Sequence, residues 1–257
     1  MTLRRIDTRY GHRYTLDGQK ADGVTTLLGA GVPKPALLPW GIKSVAEYAA
    51  DHLDTLVEMQ PMGREAIVSA LKQSPYTDRD KAAKRGTEVH DLAEKLIHGT
   101  EVEVPDELVG HVTSYVQFLD EWQPKPVLVE AVVGSRKWRY CGTLDSVFDL
   151  PDGRRVIADI KTGRSGIYAE TCLQLAAYRW AEFHQDGDDE KPMAELNIGG
   201  GMAIWVRGDG YDVYDMPCGE REFKDYLHAV WVARWVGRSK ELMGDPLDRP
   251  NWTEGAA

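Results

Sequence analysis

The sequence predicts an α/β fold: a mixed central sheet with helices on its faces, preceded by a mainly helical N-terminal region. Five segments of strand character lie between Val127 and Met216, and helical segments bracket and interrupt them. Two strong turn signals, Pro151-Asp152-Gly153 and Gly208-Asp209-Gly210, join neighbouring strands. Upstream, Pro33, Pro35, Pro39 and Pro61 break an otherwise helical stretch.

Taken in order, residues 3–16 fit a small hairpin around Tyr10-Gly11. Val24 to about Leu71 reads as interrupted helix. Thr77–His98 reads as a second helix, with Val89, Leu92, Ala93, Leu96 and Ile97 as its apolar stripe and Gly99 as its stop. A third spans Glu107–Trp122 and ends before Pro124. Val127–Val133, Arg139–Leu150 and Arg154–Lys161 are strands, and Tyr168–Gln185 reads as helix. The glycine-rich Asn197–Gly201 segment precedes a strand rather than a helix, so it reads as a loop and not as a phosphate cradle. Met202–Arg207 and Tyr211–Met216 form a hairpin, and Glu220 to about Arg238 is the last helix. The expected organisation is a helical region over 1–75, a core over 76–243 and a loose tail over 244–257.

Composition bounds the function. The chain has 257 residues, 42% apolar and 28% charged, ordinary values for a globular protein. No stretch approaches the roughly 20 apolar residues of a membrane helix. No apolar stretch follows Arg4-Arg5, so no signal peptide is read and a cytoplasmic location is expected. The three cysteines, Cys141, Cys172 and Cys218, have neither zinc nor cluster spacing and read as reduced thiols. A net charge of −10 argues against general nucleic-acid affinity. It leaves room for clustered carboxylates that hold divalent metal, with local basic stretches tracking a phosphate backbone.

The candidate chemistry begins at Pro151-Asp152-Gly153. A three-residue loop centred on Asp152 sets Asp145 opposite Asp159, with Cβ atoms roughly 4.5–5.5 Å apart. Lys161 then shares the Asp159 face by strand alternation. A two-residue loop would put the two aspartates on opposite faces. Facing carboxylates repel unless something pairs them, and a divalent cation does so. Phosphodiester hydrolysis uses such a cation, with a lysine beside it to handle a proton or developing charge. Taken alone, an Asp-x-Lys pair is usually a solvated strand face, but here Val156, Ile157, Ala158 and Ile160 surround it.

Gly142-Thr143-Leu144-Asp145, then Asp159-Ile160-Lys161-Thr162-Gly163, then Gln174-Leu175-Ala176-Ala177-Tyr178 resemble the RecB-like and phage-exonuclease branch of the PD-(D/E)XK nucleases, which also includes the CRISPR-associated adaptation nucleases. Gly86-Thr87-Glu88-Val89-His90 matches that branch's upstream histidine element, so all pieces occur in order over about residues 80–180. Val24-Thr25-Thr26-Leu27 and Pro39-Trp40 also look like phage-type members. The resemblance implies a restriction-endonuclease-like core. It implies that His90, Asp145, Asp159 and the Ile160 carbonyl are ligands of Mg²⁺ or Mn²⁺, and that Lys161 is the catalytic lysine. Gln174 and Tyr178, four apart on one helix face, would border the site. Relatives often carry an acidic residue on the strand that here holds Glu130, which makes Glu130 a further candidate, with an edge-strand charge as its alternative. Some relatives bind an iron–sulfur cluster through four cysteines, and this chain lacks that set.

For DNA contacts, Ser135-Arg136-Lys137-Trp138-Arg139-Tyr140 mixes cations with aromatics, and Lys81, Lys84 and Arg85 precede His90. Both clusters have a solvated surface as their alternative. Arg164 follows the Lys161 strand directly. The resulting expectation is a metal-dependent deoxyribonuclease, with an exonuclease of phage or bacterial recombination or repair favoured. A structure-specific endonuclease and a non-catalytic DNA-binding module are the alternatives. DNA is the expected partner; an annealing protein for single strands and self-association are compatible with it.

Overall fold

The computed structural model describes residues 3–8 and 11–248. The Tyr10 side of the first expected turn and the end of the expected tail lie outside them. β1 (Leu3–Thr8) and β2 (Gly11–Leu16) pair antiparallel, and β3 (Gln19–Gly23) follows β2. The N-terminal region thus opens with strands. Helices follow: α1 (Val24–Gly31), α2 (Leu37–Asp51) and α3 (Leu53–Glu58).

α4 runs unbroken from Arg64 to Ile97, 34 residues, where two segments were expected. Its interior Pro75 has no N–H for the Leu71 carbonyl. The Ser74 hydroxyl donates to that carbonyl instead, at 3.0 Å, so the helix passes through. The boundary expected near residue 75 therefore falls inside a helix. α4 ends at Gly99, whose φ of 70° is left-handed, with Gly99 N–H on Leu96 O and Thr100 N–H on Lys95 O.

α5 (Val109–Trp122) leads into β4 (Lys125–Ser135), β5 (Tyr140–Asp149) and β6 (Arg155–Lys161). α6 (Glu170–Arg179) is shorter than expected, because the chain after it forms β7 (Phe183–Asp186) and β8 (Asp189–Pro192). β7 pairs with the end of β4, and Gly187 at φ 62° makes the tight turn between β7 and β8. β9 (Gly200–Arg207), β10 (Gly210–Asp215) and α7 (Glu220–Arg238) follow.

The ten strands among the described residues form one mixed sheet. β5 is its hub: it pairs β4 along one edge, and on the other edge it takes β3 at its start and β6 at its end. β6 then pairs β9 in parallel and β9 pairs β10. Helices cover both faces. Leu144, Val147, Ile157, Leu175 and Tyr226 form the core under α1, α6 and α7. Phe118, Phe148, Ala158, Ile160 and Ile204 form the core under α4 and α5. Burial of these side chains is the main stabilising term of the fold. The sheet's free notch lies between the β3 and β6 contacts, at Gly142–Asp145.

Candidate metal and phosphodiester site

The Pro151-Asp152-Gly153 connection is a three-residue loop: Leu150 N–H donates to Arg154 O at 2.8 Å, and Gly153 is left-handed at φ 86°. β5 and β6 pair in the frame that this loop dictates, from Asp149↔Arg155 to Ser146↔Ala158. The next step would align Asp145 with Asp159, but the ladder stops there. The Asp145 carboxylate accepts the Ile160 N–H instead, at 2.7 Å. The two strands separate at the site, and the two aspartates find different partners.

On the α4 side, His90 Nε2 donates to the Ile160 carbonyl at 3.0 Å. That bond places a proton on Nε2, so Nδ1 turns toward the acidic groups. Asp145 Oδ2 lies 3.5 Å from Nδ1 and Glu130 Oε1 lies 4.0 Å from it. One ligand atom from each of His90, Glu130 and Asp145 fits within 4.8 Å of the others. They border a cavity of 10 Å³, which is about the room one ion or water needs. Ligands at about 2.0–2.2 Å from a common ion stand roughly 3–4.4 Å apart, a range that holds both distances to Nδ1. Two carboxylate oxygens and one imidazole nitrogen form a donor set that could hold a divalent cation.

The local backbone explains how Glu130 gets there. β4 and β5 keep one register on both sides, Val129↔Ser146 and Ala131↔Leu144, with the Glu130–Asp145 step unbridged. Glu130 has φ 47°, left-handed for a residue that disfavours it. Leu144 and Val147 both face the α6 core, so strand alternation fails between them. Asp145 and Ser146 both line the His90 cavity.

On the α6 side, Asp159 is 1% exposed. Its Oδ2 lies 2.7 Å from Lys161 Nζ, and its Oδ1 accepts Gln174 Nε2 at 2.7 Å. Gln174 Oε1 accepts Lys161 Nζ at 3.2 Å, which fixes the orientation of the amide. Tyr178 OH stands 3.4 Å from Gln174 Nε2. The motif glycines are sterically tied to this arrangement. A Cβ on Gly142 would come 2.5 Å from Tyr178 Cε1, and one on Gly86 would press Thr162 Oγ1 at 3.3 Å.

Electrostatics follow from crowding. Burial, reinforced by Asp145, pushes Glu130 up to about 7. Burial also raises Asp159, against the pull of Lys161. Burial works against protonating His90, but Asp145, Asp159 and Glu130 outweigh it and raise its pKa. Burial likewise opposes the Lys161 charge, and Asp159 with Asp145 overcomes it. A proton or a cation therefore stabilises this cluster.

The expected site residues thus fall into two adjoining groups on either side of Ile160: His90, Glu130 and Asp145, and Asp159, Lys161, Gln174 and Tyr178. The expected convergence of Asp145 and Asp159 on one point is met only in part, because Asp159 is held by Lys161 and Gln174. Four further residues escaped the sequence reading. Glu94, one turn after His90, lines the same cavity. Thr143 accepts Arg5 Nη1 at 3.3 Å and contacts Tyr14 OH at 2.9 Å. Glu94 was readable from i,i+4 spacing; Arg5 and Tyr14 carry no local signal.

The expected DNA contacts divide. Arg164 is exposed and makes no ion pair among the described residues. Lys84 is exposed and pairs with Glu88 at 3.4 Å. Arg85 is half-buried, its Nε without a hydrogen-bond partner. Lys137 lies over the Trp138 ring, and Arg139 donates to Gln19 at 2.9 Å. Arg136 is otherwise engaged: it binds Asp17 and Glu190 with two hydrogen bonds each and stacks on Phe183 at 4.4 Å. It clasps the N-terminal strands to β7 and β8, and little of it is left for a phosphate.

A cavity of 220 Å³ opens beside Lys161 and Gln174, bordered by Thr25, Lys34, Tyr168 and Glu170. Another cavity, of 820 Å³, lies at the Arg155 end of β6, remote from Lys161. Among the described residues no helix is long and apolar enough to cross a membrane. No family model and no curated protein matches the chain. Among solved structures it is similar to a chain described as "Crystal structure of SSO0001", with 13% identity over 87% of this chain and 76% of that one. The TM-score is 0.29, too low to carry a conclusion about fold or function.

Proposed function

We propose that this chain is a divalent-metal-dependent deoxyribonuclease with a restriction-endonuclease-like core. An exonuclease acting in phage or bacterial DNA recombination or repair is the favoured form. The observation that carries the reading is the pair of groups meeting at Ile160: a three-ligand cation pocket at His90, Glu130 and Asp145, and a buried Asp159 holding Lys161 and Gln174 beside it. Apart from Glu130, these residues belong to the ordered set that resembles the PD-(D/E)XK nucleases.

His90, Glu130 and Asp145 would hold Mg²⁺ or Mn²⁺, with Asp159 and the Ile160 carbonyl within the same neighbourhood. A cation there supplies Lewis-acid polarisation and lowers the pKa of a water. Lys161 keeps its proton, because Asp159 and Asp145 favour the ammonium, and offers a positive charge to a pentavalent phosphoryl group. Asp159 and Gln174 restrain the Lys161 side chain, which limits the entropy lost on reaching substrate. Tyr178 packs on Gly142 and sets the position of Gln174.

The test is degradation of end-labelled single- and double-stranded DNA in Mg²⁺, in Mn²⁺ and in chelator, with Asp159→Ala and Lys161→Ala beside the wild type. Metal-dependent release of short products that both variants abolish is the expected result. Full-rate cutting by the variants removes the site, and cut circular single strands indicate an endonuclease instead.

A further inference from the structure

We infer that Arg5, on the N-terminal hairpin, is a substrate contact that takes a backbone phosphate of the DNA strand at the Thr143–Glu130 rim of the metal pocket. The inference rests on the nuclease reading and adds a residue from a region with no motif. Arg5 and Tyr14 face each other across β1 and β2. Both reach Thr143, at 3.3 Å from Arg5 Nη1 and 2.9 Å from Tyr14 OH. The same Nη1 stands 4.0 Å from Glu130 Oε2, the carboxylate oxygen turned away from His90. Glu130 therefore lies between His90 on one side and Arg5 on the other.

Arg5 is set up to accept an anion. Asp7 takes its Nε at 3.0 Å, whereas its Nη2 makes no hydrogen bond among the described residues. Its side chain is 34% exposed, so a ligand can reach it. Its Nη2 can donate to a phosphate oxygen with a full positive charge behind it.

Charge balance gives the reason for a cation here. A divalent ion and Lys161 together offset Glu130, Asp145 and Asp159, and Glu94 on the same cavity adds a further acidic group, so these residues alone leave nothing to attract a phosphodiester in a chain of net charge −10. Arg5, shared with Asp7, brings a cation to the open side of the site where a phosphate can meet it.

Binding separates this role from catalysis. Fluorescence anisotropy of a single-stranded oligonucleotide is measured in Ca²⁺, and again in chelator, across a salt titration. Arg5→Gln should bind roughly tenfold more weakly, and its dependence of log affinity on log salt should flatten by about 0.7. Arg5→Lys should recover part of the affinity. Arg4→Gln removes an equal charge from the opposite face of β1 and should bind like the wild type. Circular dichroism and Mn²⁺ calorimetry on each variant should match the wild type; a misfolded Arg5→Gln leaves Arg5→Lys against Arg4→Gln to decide. Equal affinity and equal salt slope in wild type, Arg5→Gln and Arg5→Lys would overturn the Arg5 role while leaving a cleaving wild type a nuclease. A wild type that neither binds nor cuts DNA sinks the nuclease reading and this contact together.

Discussion

Replacing Glu130 with Gln tests whether the acidic pocket is built around a cation. Moving this carboxyl from its ordinary 4.5 to about 7 corresponds to about 3 kcal/mol of opposed ionisation. Partial exposure and its sharing with Asp145 reduce that to about 1–2 kcal/mol. The sign follows from proton counting. Between pH 4.5 and about 7 the folded chain holds a proton at Glu130 that the unfolded chain has lost. Without metal, stability therefore falls as pH rises through that window, and the penalty is complete above it. Glu130→Gln cannot ionise, so at pH 8 in chelator it should melt about 2–8 °C above the wild type, with the difference vanishing near pH 4. Mn²⁺ should raise the melting temperature of the wild type at pH 8 and that of the variant far less, since binding to the folded state alone stabilises it. Thermal melts from pH 4 to 8, with chelator and with Mn²⁺, give both numbers. Parallel curves for the two proteins in chelator, or an equal Mn²⁺ shift, would refute the reasoning.

Gly142→Ala forces a methyl against Tyr178 at 2.5 Å and Val24 at 3.2 Å. It should lower stability by about 1–3 kcal/mol in urea denaturation, and Tyr178→Leu in the same chain should restore part of that. Arg136→Ala removes the clasp on Asp17 and Glu190; a loss of about 2–3 kcal/mol is expected, with the salt dependence of DNA binding unchanged in titration. Trp205, beside Lys161 in the β6–β9 register, donates Nε1–H to Gly163 O at 2.8 Å and so restrains the loop after Lys161. Trp205→Phe should slow cleavage severalfold, read as kcat, while Mn²⁺ affinity measured by calorimetry stays at the wild-type value.

Much of this was legible because short-range rules governed it. The Pro151-Asp152-Gly153 loop fixed the β5–β6 frame, and the Gly208-Asp209-Gly210 hairpin and the last helix fell where turn chemistry and periodicity put them. What escaped depends on partners remote in sequence. β7 is a strand because β4 offers it an edge and the Arg136 guanidinium covers the Phe183 ring, whereas locally Phe183–Asp186 extends a helical pattern. The Asp186-Gly187 pair was the available turn signal. The helix was split between Leu71 and Thr77 because the Ser74 rescue of Leu71 O beside Pro75 is a side-chain event. The separation of Asp145 from Asp159 arises where β5 and β6 part and Ile160 N–H becomes free for a carboxylate, a departure from ideal pairing that alternation cannot express.

The continuity of α4 couples two regions that the sequence reads as separate. In about 50 Å of uninterrupted helix it packs against α2 and carries His90, about 39 Å from its start. Each residue advances such a rod by about 100°. A one-residue deletion anywhere between the α2 contacts and Val89 would swing the imidazole to another quarter of the helix unless the whole N-terminal arm rotated with it. Insertions should be tolerated there only in lengths close to whole turns, so the spacing between arm and histidine is quantised by the screw of the helix itself.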